Sequence, residues 1–453
     1  MLDMNNSLGK EVTFLSLIKF TLPTIIMMVF FSLYTIIDGI FVSRYIGSNA
    51  LSAINIVYPV ICILIGISVM MATGGSAIVA KFMGEAKDKE ARESFTLITI
   101  TSIIFGLIIA IFSLIFIKQI IYLLGSTDSL YENSHTYLFT MLLFTPVIIL
   151  KMLFDYFLIT AGNPNLGLLS AIIGGVTNII LDYVLIVPLN MGLVGAALAT
   201  CIGYSLPSII GIIYFFNKKN TLHFVKPKFN FKTILYSCSN GSSEMVTQIS
   251  SAVTTFLYNI IMIKLLGENG VASITIVLYA QFLLVSAYIG FTSGVSPRIS
   301  YNFGSENKQQ LYKIIKYSYI FIMLFSISTF IISKYLSPLL ISIFAGNGTE
   351  LYDITLNGFN LFQISFLLCG VNIFTSGMFT AFSNGKVSAL LSLLRTFIFL
   401  SSGIIFLPSL IGVNGVWLAV PLAEIMTLVF SLFYIYKYKN IYGYSYKYFK
   451  VYA

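Results

Sequence analysis

Five carboxylates stand in stretches of the chain that are otherwise nearly free of charge: Asp38, Asp155, Asp182, Glu244 and Glu424. Stretches so apolar read as membrane spans. A charge at a span centre costs about 2.5–3.5 kcal/mol on insertion scales, so each acid needs a partner, water or a proton. Counting residues gives their depths, because a helix rises about 1.5 Å per residue. Asp38 lies six residues before Arg44 and Asp182 six before Pro188, which puts each about 9 Å in from the same face. Asn178 is at i−4 from Asp182, on the same side of its helix, and Thr200 lies eight residues past Gly192, about 12 Å in. Two carboxylates, an amide and a hydroxyl at one level suit a hard monovalent cation. They equally suit a proton, because like charges held together in a dry site do not both ionise. In the competing account Asp38 and Asp182 are unrelated, each facing water at the outer mouth.

Glu244 lies about twelve residues in from Lys232, and Glu424 nine to twelve in from Gly415 and Gly412, so both fall near mid-membrane. They read either as the acidic wall of a central cavity that takes a cationic substrate, or as caps on helix contacts. Asp155 has Lys151 at i−4, the spacing of a buried ion pair, and such pairs also form relays. Cys62, Cys201, Cys238 and Cys369 lack metal-ligand spacing and read as small packing residues, so no cofactor and no bound metal is expected beyond a coupling Na⁺ or H⁺. His135 and His223 are placed in loops and given no role.

The elements that must hold these residues follow from composition. Of 453 residues 57% are hydrophobic and 9% charged, against about 25% charged in a soluble protein, and the mean hydropathy is +0.92. Soluble enzymes, nucleic-acid binders and disordered scaffolds are excluded. Twelve apolar segments are expected at about 15–41, 53–79, 94–117, 137–160, 167–187, 193–216, 233–263, 271–297, 314–337, 354–381, 388–408 and 413–436. Barrel strands would be half as long and alternate in polarity. The first segment is of full span length with no cleavage site after it, so no cleaved signal peptide is expected. With the N-terminus in the cytoplasm, the inner loops collect Lys81, Lys87, Lys89 and Arg92, then Lys218, Lys219, Lys226, Lys228 and Lys232. The tail adds Lys437, Lys439, Lys447 and Lys450, whereas the outer face receives Arg44, Lys118, Lys264 and Lys334. By the positive-inside rule both termini are cytoplasmic.

Shifting the chain by 220 residues aligns its two parts. Arg44–Asn49 falls on Lys264–Asn269, Gly84 on Gly304, and Thr160-Ala161 on Thr380-Ala381. Pro188, Gly192, Gly195, Leu198 and Ala199 meet Pro408, Gly412, Gly415, Leu418 and Ala419. Glycine and proline matches at one fixed offset mark a repeat. The expectation is an all-α polytopic membrane protein. Its N-lobe is 1–220 (spans 1–6) and its C-lobe 221–453 (spans 7–12), six helices each, related by a pseudo-two-fold axis along the membrane normal. The basic linker, about 217–232 (NKKNTLHFVKPKFNFK), reads as a tether along the anionic inner leaflet. Pro23, Pro59 and Pro207 inside spans 1, 2 and 6 each remove a backbone hydrogen bond.

Several of these stretches are familiar together. Tyr34–Gly47 (YTIIDGIFVSRYIG), Asn178–Asp182 (NIILD) and Gly192–Thr200 (GLVGAALAT) resemble spans 1, 5 and 6 of the multidrug and toxic compound extrusion (MATE) family. Asn240–Glu244 (NGSSE) and Ser296–Gly304 (SPRISYNFG) resemble that family's spans 7 and 8. The resemblance is to the bacterial multidrug branch and covers nearly the whole chain. It implies a twelve-span exporter of organic cations driven by Na⁺ or H⁺, multi-pass in a bacterial inner membrane and functional as a monomer. It implies a cation or proton site at Asp38, Asn178, Asp182 and Thr200, and substrate or relay roles at Asp155 and Glu244. Glu424 is grouped with them on its position alone. Partners are then cationic or amphiphilic small molecules and the bilayer, with no nucleic acid. The alternative is a flippase of lipid-linked precursors from the same superfamily, which would need basic residues in the cavity; Lys151 and Arg395 are the intramembrane candidates.

Overall fold

The computed structural model describes residues 7–445, with backbone alone at Ser48 and Ile343. Lys447 and Lys450 lie outside the described residues. Every regular element among them is helical. Nine helices are long and apolar enough to cross a bilayer, and two bent pairs, Asp128–Leu143 with Thr145–Thr160 and Glu350–Leu367 with Cys369–Ala381, each make one further span. The continuous helix Phe231–Gly304 has 74 residues, about 110 Å at 1.5 Å per residue, far beyond a hydrocarbon core of about 30 Å. It reverses at Gly267, whose φ of 62° and ψ of −148° are non-helical, and so supplies two spans, 231–266 and 268–304.

Twelve spans result. Span 1 is Phe14–Phe41, prolonged by a π turn at Val42–Ile46, and span 2 is Ser48–Gly84. Span 3 is Asp88–Ile115, followed by a short helix at Ile117–Leu123. Span 4 is the first bent pair, span 5 Pro164–Ile186 and span 6 Gly192–Phe216. Spans 7 and 8 are the two parts of the long helix, span 9 is Lys308–Phe344 and span 10 the second bent pair. Span 11 is Gly385–Ile411, with a π turn at Leu393–Phe399, and span 12 is Val413–Tyr438. The fourth and tenth spans are longer than hydropathy suggested and bend, by 59° and 40°. Pro146 sits in the first turn after the break in span 4, where its missing N–H breaks the helical ladder. His135, expected in a loop, lies within the helix Asp128–Leu143, its ring stacked 5.8 Å from Phe139; the apolar window began too late to include that turn.

Turns of unusual backbone recur 220 residues apart. Gly47 and Gly267 both have positive φ, as do Gly192 and Gly412, and so do Ala86 and Glu306. Packing follows the same division. One apolar core is built from residues between Tyr258 and Tyr444 with Val12 and Leu17 added, and two others are built almost wholly from residues between Leu8 and Ile234.

The ends of spans 2, 6 and 8 and the start of spans 3 and 7 share one face, here the basic face. There the halves touch backbone to backbone. A Cβ on Gly84 would overlap the carbonyl oxygen of Tyr301, and one on Gly304 would overlap that of Lys81, two equivalent positions of the repeat. Deeper in, a Cβ on Gly74 would collide with Gly241 N at 2.7 Å. The segment before span 1 crosses this seam: Ser7 Oγ donates to Gly162 O at 3.0 Å while Arg298 Nη2 donates to Ser7 O at 3.0 Å. Val12 N–H donates to Gln310 Oε1 at 3.0 Å, and Lys313 pairs with Glu11 at 2.9 Å.

Candidate functional site

Spans 1, 5 and 6 approach closely because glycine stands where they cross. A Cβ on Gly203 would come within 2.8 Å of Asn178 Cβ, and one on Gly175 within 2.7 Å of Tyr34 Cδ1. Span 5 then presents Asn178 and Asp182 one turn apart to span 1 and span 6. The Asp38 and Asp182 carboxyl groups lie against each other. Asn178 Nδ2 donates to Thr200 Oγ1 at 3.5 Å, and Thr200 Oγ1 donates in turn to Ala196 O at 3.1 Å. The structure therefore brings together all four residues that depth counting set at one level.

Their bonding is one-sided. Asp38 Oδ1, Asn178 Oδ1 and both carboxylate oxygens of Asp182 are buried, and each lacks a hydrogen-bond donor. Asp182 itself is 0% exposed. Buried acceptors are almost always satisfied, so four in one place could hold a group that carries positive charge. Oxygen donors of this kind, two of them charged, fit a hard cation or a shared proton. Three tyrosines lie near the site. Tyr137 on span 4 neighbours both Asp38 and Asp182, and Tyr34 and Tyr204 lie side by side near Asp38. The sequence reading passed over all three. Tyr34 at i−4 from Asp38 and Tyr204 at i+4 from Thr200 were the available signals.

Asp155 sits beyond these tyrosines. Lys151 Nζ reaches it at 2.7 Å, both side chains about 5% exposed, as the i−4 spacing suggested. The same ammonium lies 4.6 Å from the Phe31 ring centre and 5.4 Å from that of Tyr204. Tyr204 thus stands between the Asp38/Asp182 group and the Lys151–Asp155 pair.

The two glutamates of the second half have different surroundings. Glu244, on span 7, lines a cavity of about 30 Å³ between the halves, with Thr73, Ser76, Tyr156, Ser293 and Thr380 among its walls. That is room for about one water molecule. Glu424 is 2% exposed and fully bonded: Arg395 Nε donates to its Oε1 at 2.9 Å and Asn372 Nδ2 to its Oε2 at 2.7 Å. Asn372 Oδ1 accepts from Ser431 Oγ at 2.8 Å, which completes the cluster. Arg395 also lies near Glu244. Asn372 was missed in the sequence, where its segment, 354–381, also carries Asn357, Asn360 and Gln363, so nothing singled it out. The cysteines are all unpaired; Cys62, Cys201 and Cys369 are buried and Cys238 half-buried.

Comparison with known proteins places this arrangement. The sequence model of the MatE family matches residues 23–184 and 245–405, one stretch in each half. The multidrug export protein MepA of Staphylococcus saprophyticus subsp. saprophyticus is 27% identical over 379 residues, covering 82% of this chain and 80% of its own. MepA of Staphylococcus haemolyticus is 26% identical over 436 residues and 94% of both chains. Among solved structures, MATE in the straight conformation superposes with a TM-score of 0.90 at 21% identity, over 97% of this chain and 99% of that one. The outward-facing conformation of a multidrug resistance MATE family transporter of the MOP superfamily gives 0.88 at 21% identity, over 95% and 96%. These likenesses fix the fold as two six-helix lobes, and the double family match fixes the class as transporter rather than enzyme. The chain belongs to the MatE family.

Proposed function

We propose that the protein is a secondary active multidrug antiporter, exporting organic cations in exchange for entering Na⁺ or H⁺. The observation that carries this reading is the Asp38/Asp182 pair, whose buried oxygens lack donors, in the same molecule as a cavity between the halves lined by Glu244. The MepA relatives, multidrug export proteins by name, support it. Residues 1–220 and 221–453 act as two lobes that rock about the linker. A cation or proton between Asp38 and Asp182, with Asn178 and Thr200 beside it, supplies the missing positive charge and favours one lobe arrangement. A cationic substrate held against Glu244 favours the other, in which the halves part there and widen a cavity that now has room for about one water molecule. Coupling then needs nothing beyond linkage, each ligand shifting the equilibrium by its difference in affinity for the two states. Asp155 relays through Tyr204, and Glu424 holds Arg395 beside Glu244. The basic face is cytoplasmic by the positive-inside rule, which sets both termini inside the inner membrane. The chain works as a monomer, because each feature invoked lies within one chain.

The flippase alternative is disfavoured by the same geometry. Lys151 and Arg395, the cations it would offer to a pyrophosphate, are each already paired, with Asp155 and Glu424. The test is dye efflux from proteoliposomes, driven separately by an imposed Na⁺ gradient and an imposed pH gradient. Wild-type protein should respond to at least one and Asp182→Asn to neither. Normal gradient-driven efflux by Asp182→Asn, or wild-type flux indifferent to both gradients, would sink the proposal.

A further inference from the structure

The linker between the halves is a built structure over its first part. Asn220 Nδ2 donates to Tyr214 O at 2.7 Å, Phe224 N–H to Phe215 O at 2.8 Å, and Val225 N–H to Thr96 Oγ1 at 3.1 Å. Arg92 Nε donates to Thr221 O at 2.9 Å, Leu222 is fully buried, and the Phe224 ring stacks on Phe95 at 5.1 Å. These contacts tie residues 220–225 to spans 3 and 6. Immediately after them the chain passes through Lys226 and Lys228 to the Asn230 cap of span 7, whose Oδ1 accepts from Lys232 N–H at 3.1 Å.

A cavity of about 530 Å³ opens at this junction. Lys89 and Arg92, from the first turns of span 3, line one side, and Lys226 and Lys228 from the linker line the other, with Glu93 the one acid among them. The Arg92 guanidinium spends its Nε on Thr221, which leaves the fork of its two remaining nitrogens for a ligand. Four cations and one anion leave three net positive charges around a space large enough for a small organic anion. Three large aromatics on the same stretch of chain are uncovered by protein: Phe216 is 68%, Phe229 76% and Phe231 64% exposed. Leu235 and Tyr236, one turn further along span 7, are 57% and 64% exposed, so this side of the span faces lipid. Basic residues interleaved with exposed aromatics, at the level where spans 3 and 7 enter the bilayer, match an interfacial headgroup site.

We infer that this cavity binds the phosphate headgroup of an anionic phospholipid, with Lys89 and Arg92 on one side and Lys226 and Lys228 on the other. Phe229 and Phe231 seat the linker among the acyl chains' upper carbons. The site spans the point where the docked part of the linker ends and the connection to span 7 begins. A bound headgroup therefore ties the second half's first span to the first half's third. The inference stands apart from the export reading, since it concerns a lipid site and not the transported ligand.

The test uses the full-length protein in nanodiscs of phosphatidylcholine with a set fraction of phosphatidylglycerol, reading lipid retention by native mass spectrometry and the thermal midpoint. Phosphatidylglycerol should be retained by the wild type and should raise its midpoint. Lys226→Gln/Lys228→Gln should hold it about 10- to 30-fold more weakly. Lys226→Arg/Lys228→Arg should keep it, as should Lys437→Gln/Lys439→Gln, which removes equal charge at the end of span 12. Equal loss in the two glutamine variants would overturn the site, because charge anywhere on the face would then suffice. Loss in the arginine variant would overturn it too, and so would displacement of the lipid by millimolar inorganic phosphate, which would make it a free-phosphate site.

Discussion

The two halves of the molecule repeat one plan and treat their buried acids in opposite ways. In the first half Asp182 keeps both oxygens without a donor, and Asp38 Oδ1 and Asn178 Oδ1 share that condition. In the second half Glu424 has a donor on each oxygen, from Arg395 and Asn372, and Ser431 completes the shell. A closed cluster of this sort is architecture: its charges cancel and both carboxylate oxygens are satisfied. An open cluster is costly to bury, and the proposed positive ligand that comes and goes would offset that cost. Position 424 is the repeat counterpart of 204, where the first half has tyrosine, so the divergence lies at corresponding points of one scaffold.

The contrast can be broken by experiment, and the largest effect should come from the open side. Asp182→Asn is expected to abolish gradient-driven efflux from everted vesicles at matched expression. Its thermal midpoint should not fall, because the amide offers Asp38 a donor it now lacks. A collapse in stability would mean that Asp182 is structural after all. On the closed side the signs reverse. Arg395→Met leaves Glu424 buried with half its partners and should cost about 3–5 kcal/mol, read as a fall in thermal midpoint. Arg395→Met/Glu424→Leu should recover most of that loss. A double variant that is stable but inactive would show that Glu424 serves transport as well as packing. Thr200→Val sharpens the comparison within the open site. Losing one hydroxyl of about 1.4 kcal/mol should raise the ion concentration for half-maximal efflux about tenfold, at unchanged midpoint. The smallest effect is expected for Tyr204→Phe, a fall of about threefold in efflux rate if the Lys151–Asp155 pair communicates with Asp38 through that hydroxyl. An unchanged rate would isolate the pair from the site.

How far the sequence could carry these distinctions depended on whether a partnership lies along one helix or between helices. Asn178 with Asp182 and Lys151 with Asp155 are i, i+4 pairs, visible to counting. Asp38 met Asp182 because each lies only a few residues from a turn on the same face, too few for the π turn at Val42–Ile46 to shift its level far. Arg395 and Glu424 belong to different spans, and a π turn at Leu393–Phe399 shifts the helical phase at the arginine, so spacing carried no hint of the contact. The tyrosines around the open site were hidden by their own abundance: with 28 in the chain, none stood out. The bend in span 4 had a legible cause in Pro146. The one in span 10 did not, since it is made by a 3₁₀ stretch at Gln363–Leu367 with no proline in it.

The segment that crosses the seam at the basic face has a consequence for how the molecule is made. Ser7, Glu11 and Val12 precede span 1 in the chain, yet their partners Arg298, Lys313 and Gln310 are 291, 302 and 298 residues away. The spans of the first half can gather around their own cores as they are inserted, in the manner of domains that fold as units during synthesis. Val12 and Leu17, however, belong to the core of the second half. Ser7 and Leu8 can settle against the first half, through Gly162 and its core, but Val12 and Leu17 must wait for spans 8 and 9. A segment made before the first span thus completes its contacts only after the eighth and ninth.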